Sequence, residues 1–217
     1  MHYLHVDSLT KTQNGVPLLN NLFISCKTGD IIALLGRNGT GKSTLLKIIF
    51  GSVKADFKFQ KINTKIVKNG TLQHRRIQYL PQSNFLPKNA TIKKLLTVMC
   101  AKSEVKKLYT NPHIAPYLSS QVKELSGGEL RIIEVLMILN TEAAFILLDE
   151  PFNGISPINV KTISDAIREK SALKGIVITD HNYELVLELA DSIRVLKNGS
   201  LLKLKDQNQL REYGYIY

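Results

Sequence analysis

The chain has 217 residues, 44% apolar and 22% charged, so it can bury a core of ordinary size without a disulfide or metal staple. No stretch approaches the ~18 consecutive apolar residues that cross a bilayer. Met1 to Asp7 lacks a basic region followed by an apolar run, so a secretory signal is not expected. These features predict a cytoplasmic protein that meets a membrane only through a partner. Cys26 and Cys100 stand outside any CxxC or Cys/His cluster, which predicts two reduced thiols. The net charge of +11 favours anionic partners: nucleotide, nucleic acid or an acidic lipid surface. The basic residues are spread along the chain, so solvated lysines around one phosphate site account for the charge at least as well as a nucleic-acid groove.

Taken in chain order, Leu4, Val6 and Leu9 alternate with polar residues, and a second extended segment covers Leu22–Cys26. Lys27–Asp30 makes a turn. Ile31–Leu35 is a short unbroken apolar run, the pattern of a buried strand. Ser43–Phe50 has helical spacing and stops at Gly51, a C-cap residue. Residues 52–80 mix short β-like pieces with polar turns, among them Asn69-Gly70. Ile77–Leu80 reads as a strand ended by Pro81.

Residues 83–125 change texture, with Pro87, Pro112 and Pro116 and a basic helical stretch from Thr91 to about Leu108. Glu129–Asn140 is a helix with Leu130, Ile133, Leu136 and Met137 on one face. Phe145–Leu148 and Gly175–Thr179 are further buried strands. Pro157 to about Lys170 is a helix with proline in its favoured first position, and Asn182–Ala190 is another. Ser192–Leu196 and Ser200–Leu204 form a hairpin around Asn198-Gly199. Strands alternating with helices predict an α/β fold with a largely parallel sheet.

Three segments carry chemistry. Gly36-Arg37-Asn38-Gly39-Thr40-Gly41-Lys42-Ser43 fits G-x-x-x-x-G-K-S, between an expected strand and an expected helix. Its glycines let backbone N–H groups turn toward a phosphate, and the helix adds its N-terminal dipole. Lys42 is expected on the β- and γ-phosphates and Ser43 on Mg²⁺. Asp149-Glu150 ends a buried strand; Asp149 can hold Mg²⁺ and Glu150 can orient the attacking water as general base. Leu125-Ser126-Gly127-Gly128-Glu129 can be simply a capped helix start, Ser126 paired with Glu129. The same start also presents free N–H groups to an anion. Two phosphate-recognising surfaces on one domain suit two copies facing each other.

These segments resemble, in order, the ATPase domains of ATP-binding cassette (ABC) transporters. The resemblance covers nearly the whole chain. It makes Gly36–Thr44 the Walker A loop, with Gly36, Asn38, Gly39, Gly41, Lys42, Ser43 and Thr44 binding nucleotide. Gln82 becomes the glutamine that senses the γ-phosphate and Mg²⁺. Ser126, Gly127 and Gly128 form the signature that meets the nucleotide of a second copy. Asp149 ends Walker B and joins Ser43 and Gln82 on the metal. Glu150 is the catalytic carboxylate, and His181 the residue that helps hold the attacking water. The short segments Glu150–Pro157 and Ile178–Asn182 look most like ATPases of lipopolysaccharide-export and branched-chain amino-acid systems.

The resemblance implies a P-loop α/β core with an N-terminal antiparallel part. The expected organisation is one domain over 1–217, core 1–82 and 141–217, with a small helical insert at about 83–140. It implies ATP and Mg²⁺ as cofactors, a homodimer of ATPase subunits, and an integral membrane transporter subunit as partner. The expected location is peripheral, at the cytoplasmic face of the inner or plasma membrane. The alternative is a soluble cassette ATPase acting on nucleic acid or ribosome, although nucleic acid is not the expected partner. A non-cassette P-loop kinase or GTPase is a further rival, but no guanine-recognition motif is apparent. Two positions depart from the family pattern. Gln13 stands where an aromatic residue usually stacks on adenine, with Tyr3 as a possible replacement, and Ser156 stands where an aspartate usually links the two sites.

Overall fold

The computed structural model describes residues 1–69, 73, 75–204 and 209–212. Strands β1 (Tyr3–Gln13) and β2 (Val16–Lys27) pair antiparallel. Asn14 and Gly15 join them, both at positive φ (51° and 75°), which two-residue hairpin loops favour. Leu4, Val6 and Leu9 all point inward although strict alternation would turn Leu9 outward. Ser8 explains this: it sits at φ 52°, and the register shifts between Val6 and Leu9, as at a bulge.

Strand β3 (Ile31–Leu35) is buried throughout. Helix α1 (Lys42–Phe50) follows it and ends on Gly51 at φ 98°. Strands β4 (Phe57–Ile62) and β5 (Lys65–Ile66) complete an antiparallel sheet of order β2-β1-β4-β5. Two buried residues of β4 tie α1 to this sheet. The Lys58 ammonium donates to Ile48 O at 2.8 Å, and the Gln60 amide donates to Ile49 O at 3.0 Å. They satisfy carbonyls that the helix end leaves open. Burial pulls the Lys58 ammonium down to about 8.

The second sheet adds β6 (Ile77–Leu80), β7 (Phe145–Asp149), β8 (Gly175–Thr179), β9 (Ser192–Lys197) and β10 (Ser200–Leu204). Its order is β10-β9-β3-β8-β7-β6. All neighbours are parallel except β10, which returns along β9. Asn198 and Gly199 make that return, at φ 50° and 74°. The central strands are apolar on both faces because both faces are covered. Ile32, Leu34, Leu147 and Val177 pack toward α1 and the antiparallel sheet. Ile31, Ala33, Leu148 and Ile178 pack toward the other helices. Gly175 lies close against the end of β2: a Cβ there would stand 2.7 Å from Cys26 Sγ and 2.8 Å from Lys27 O.

The opposite layer contains α2 (Ile92–Met99), α3 (Lys102–Tyr109), α4 (Gly127–Leu139), α5 (Pro157–Ser171) and α6 (Tyr183–Leu189). A last helical turn, α7, covers Gln209–Glu212. The basic stretch expected as one helix from Thr91 to Leu108 is two helices. Cys100 is extended (φ −85°, ψ 155°), its thiol is buried, and Ala101 N donates to Asn140 O at 2.8 Å. The break turns the chain so that Leu96 of α2 and Leu108 of α3 both reach the core. Helix α4 differs from its expected single apolar face. Every residue from Leu130 to Leu139 is buried, Arg131 and Glu134 included, because α4 packs against β6, α2 and α5. The turn expected at Asn69-Gly70 lies partly outside the described residues, at Gly70. The Asn69 side chain accepts from Ala55 N and donates to Ala55 O.

Candidate active site

The carboxyl ends of β3, β6, β7 and β8 converge, and the expected functional residues follow them directly. Ligands of open parallel sheets bind at such an edge. After β3 the chain runs through Gly39 (φ 76°) and Gly41 (φ 101°). Side-chain-bearing residues rarely adopt that backbone. No side chain caps the start of α1, and its first turn holds no acidic residue. Its leading N–H groups therefore stay available to an anion. Lys42 Nζ donates to Gly36 O at 2.7 Å and Arg37 O at 3.2 Å. Burial pulls this ammonium below the ordinary lysine range, while the Glu150 and Asp149 carboxylates oppose the shift.

Ser43 donates to Asp149 Oδ1 at 3.1 Å, and Tyr79 OH donates to Asp149 Oδ2 at 2.8 Å. Burial beside that carboxylate raises the Tyr79 phenol, so it stays a donor. The Glu150 carboxylate is held on both sides. Gln82 Nε2 donates to Oε2 at 2.7 Å, and His181 Nε2 lies 2.9 Å from Oε1. Glu150 itself sits at φ 53°, an uncommon conformation for a residue with a side chain. Its N–H donates to Thr179 O at 2.7 Å, which locks the residue to the end of β8.

A cavity of about 430 Å³ opens between these groups. Asn38, Gly39, Gly41, Lys42, Ser43, Thr44, Gln82, Glu150 and His181 all line it, together with Gln13 and Leu18. A neighbouring cavity of about 230 Å³ shares Ser43 and Gln82 and adds Asp149 and Tyr79. Gly36 lines neither; a Cβ there would stand 2.8 Å from Leu196 O, so its smallness serves packing behind the loop. Tyr3 cannot reach the base side of the cavity. It pairs with Lys27 at one end of β1 while Gln13 pairs with Val16 at the other, roughly 30 Å away along an extended strand.

Ser126, Gly127 and Gly128 line neither cavity. They start α4 with a complete capping box. Ser126 Oγ accepts from Glu129 N at 3.4 Å, and Ser126 N donates to Glu129 Oε2 at 2.8 Å. Hydrogen bonds from Ser126 and Tyr117 hold the half-buried Glu129 carboxyl below the usual carboxylate range. A Cβ on Gly128 would stand 3.1 Å from Gly154 O. Ser156 begins α5, and its hydroxyl accepts from the Asn159 amide at 3.1 Å.

Sequence reasoning missed two contributors, Tyr79 and Arg131. Arg131 NH1 donates to Pro81 O, and NH2 donates to both Asp149 O and Glu150 O, each at 2.8 Å. A signal was present: Arg131 and Glu134 interrupt the apolar run Leu130–Leu139 three residues apart, the spacing of a helical ion pair.

Fold and site together define a P-loop nucleoside-triphosphatase domain. The chain belongs to the ABC transporter family, whose profile matches residues 19–153, and it is an ATP-binding subunit. ATP hydrolysis coupled to transport is the general activity of that family, and its ATPase subunits work with membrane transporter components. The chain is 30% identical to the lipopolysaccharide export system ATP-binding protein LptB of Haemophilus influenzae, over 93% of this chain and 90% of that protein. It is 29% identical to an uncharacterised ABC transporter ATP-binding protein of Methanocaldococcus jannaschii, over 98% and 81%. In fold it matches a solved ATP-binding subunit of an ABC transporter with TM-score 0.83 at 23% identity, covering 98% of this chain and 93% of that one. These relatives do not favour the nucleic-acid alternative. Among the described residues no helix is long and apolar enough to cross a membrane.

Proposed function

We propose that this chain hydrolyses ATP in the cavity between α1 and the ends of β6, β7 and β8, with Glu150 as general base. The observation that carries this reading is the Glu150 carboxylate held between Gln82 and His181 at the wall of a cavity that Lys42 and Ser43 also line. A carboxylate so placed can accept a proton from a water aimed at the γ-phosphate. Gln82 and His181 fix its direction, and Lys42 turns from its own loop carbonyls to the phosphate oxygens.

The residues present fit Mg²⁺. The Ser43 hydroxyl already meets the Asp149 carboxylate, and the Gln82 amide faces the same neighbouring cavity. Neutral and anionic oxygens in that small number suit a hard cation that keeps some of its waters. Ser43, Asp149 and Gln82 would hold the ion. When bound, it would neutralise phosphate charge.

The site is completed by a second copy, whose Ser126 hydroxyl and Gly127 and Gly128 N–H groups supply the remaining donors to the phosphates. The pair drives a membrane-spanning partner from the cytoplasmic face. The test is Glu150→Gln. It should keep ATP binding, lower turnover by roughly 1000-fold and accumulate an ATP-bound dimer in light scattering. Hydrolysis at the wild-type rate would overturn the assignment.

A further inference from the structure

We propose that Arg131 is a positioning residue that brings Gln82 and Glu150 into register, and that Glu134 aims it. The inference rests on Glu150 as the base. One guanidinium spans two strand ends. NH1 takes the carbonyl of Pro81, the residue before Gln82. NH2 takes the carbonyls of Asp149 and of Glu150 itself. The Gln82–Glu150 contact of 2.7 Å therefore joins two residues whose backbones hang on the same planar group. A rigid fork of donors fixes distance and angle together, which a lysine cannot do.

The arrangement is built rather than incidental. Arg131 is 2% exposed and Glu134 is fully buried, so neither is on a solvated face. Glu134 Oε2 lies 3.4 Å from Arg131 NH1, and Oε1 accepts from Phe85 N at 2.9 Å. The pair thus touches the segment after β6 twice, at Pro81 and at Phe85. Glu150 needs this support because its φ of 53° is held against the ordinary preference of the chain. The carbonyl of a residue in that conformation leaves the strand direction, and Arg131 takes it. A displacement of residues 81–85 would move the guanidinium and carry the Glu150 backbone with it. Arg131 touches no reacting atom; it acts through Glu150.

The experiment uses the full chain and measures kcat, ATP affinity and thermal midpoint for Arg131→Met, Arg131→Lys, Glu134→Gln and Glu150→Gln. Arg131→Met should lower kcat about 100-fold, the scale of an ångström-sized misplacement, with ATP affinity within about threefold of wild type. Arg131→Lys should recover part of that loss. Single-turnover hydrolysis of radiolabelled ATP by Glu150→Gln should not fall further when Arg131→Met is added. If Arg131→Met does not fold, Arg131→Lys and Glu134→Gln carry the same test. Folded variants with wild-type kcat would overturn the inference. So would affinity and kcat falling in parallel, or losses that multiply with Glu150→Gln. Wild-type hydrolysis by Glu150→Gln would overturn the base assignment and this inference together. An inactive Glu150→Gln beside unaffected Arg131 variants would overturn this inference alone.

Discussion

The carboxyl edge of the parallel sheet and the start of α4 both offer N–H groups to an anion, but their local hydrogen bonding differs. At the edge, α1 begins without a cap. Lys42 rests on its own loop carbonyls, and Ser43 rests on Asp149. Each of these contacts is made by a group suited to phosphate or metal. At the start of α4 the N–H groups of Ser126 and Glu129 are answered by each other's side chains, while Gly127 and Gly128 between them carry no side chain that could cap the turn. The first region lines a cavity; the second lines none of it. A capping box stabilises the helix that it opens, and an uncapped start leaves its N–H groups open to an anion.

Substitutions can break that contrast. The largest effect is expected from Ser126→Arg. It should leave ATP binding by the isolated chain intact yet lower steady-state hydrolysis at least about 100-fold, because the proposed second copy could no longer close on the phosphates. Unchanged hydrolysis would mean that the start of α4 takes no part. Lys42→Ala should instead weaken ATP binding itself, by about 30-fold, the scale of removing one partner from a desolvated charge pair. Calorimetric titration separates the two cases. Gln13→Tyr should tighten adenine nucleotides about threefold by adding a stacking face to the cavity lining. Equal affinity in both proteins would show that the base does not rest on residue 13.

The smallest effect concerns the cap itself. The folded Glu129 carboxyl titrates below its unfolded value, so its contribution is present above the ordinary glutamate range and fades as pH falls through the folded value. Wild type should therefore lose its stability advantage over Glu129→Ala on acidification below about pH 4. A difference independent of pH would show that the cap does not depend on the charge.

Much of the site was legible because its segments are local. The loop Gly36–Ser43 needs glycines at fixed offsets, and the strands before Glu150 and His181 are unbroken apolar runs. Such signals survive without knowledge of the fold. The break at Cys100 was not legible, since Ile92–Tyr109 has helical composition throughout and only packing on α4 makes two helices better than one. Arg131 and Glu134 stand out in their apolar run, but what Arg131 holds was hidden for a related reason. Its acceptors are backbone carbonyls of Pro81, Asp149 and Glu150, and a carbonyl leaves no mark in the sequence.

The sequence alone determined the glycine-rich loop, the carboxylates, the helix cap and the buried strands, because each depends on side-chain type within a few residues. The tertiary structure decided which of them meet. Sheet order set β3, β8, β7 and β6 side by side. That order brought Lys42, Gln82, Glu150 and His181 around one cavity and kept Ser126 out of it. It also placed one buried guanidinium between two strand ends. Parallel strands deliver their following loops to the same edge whatever their distance along the chain, and that convergence can only be seen once the sheet is formed.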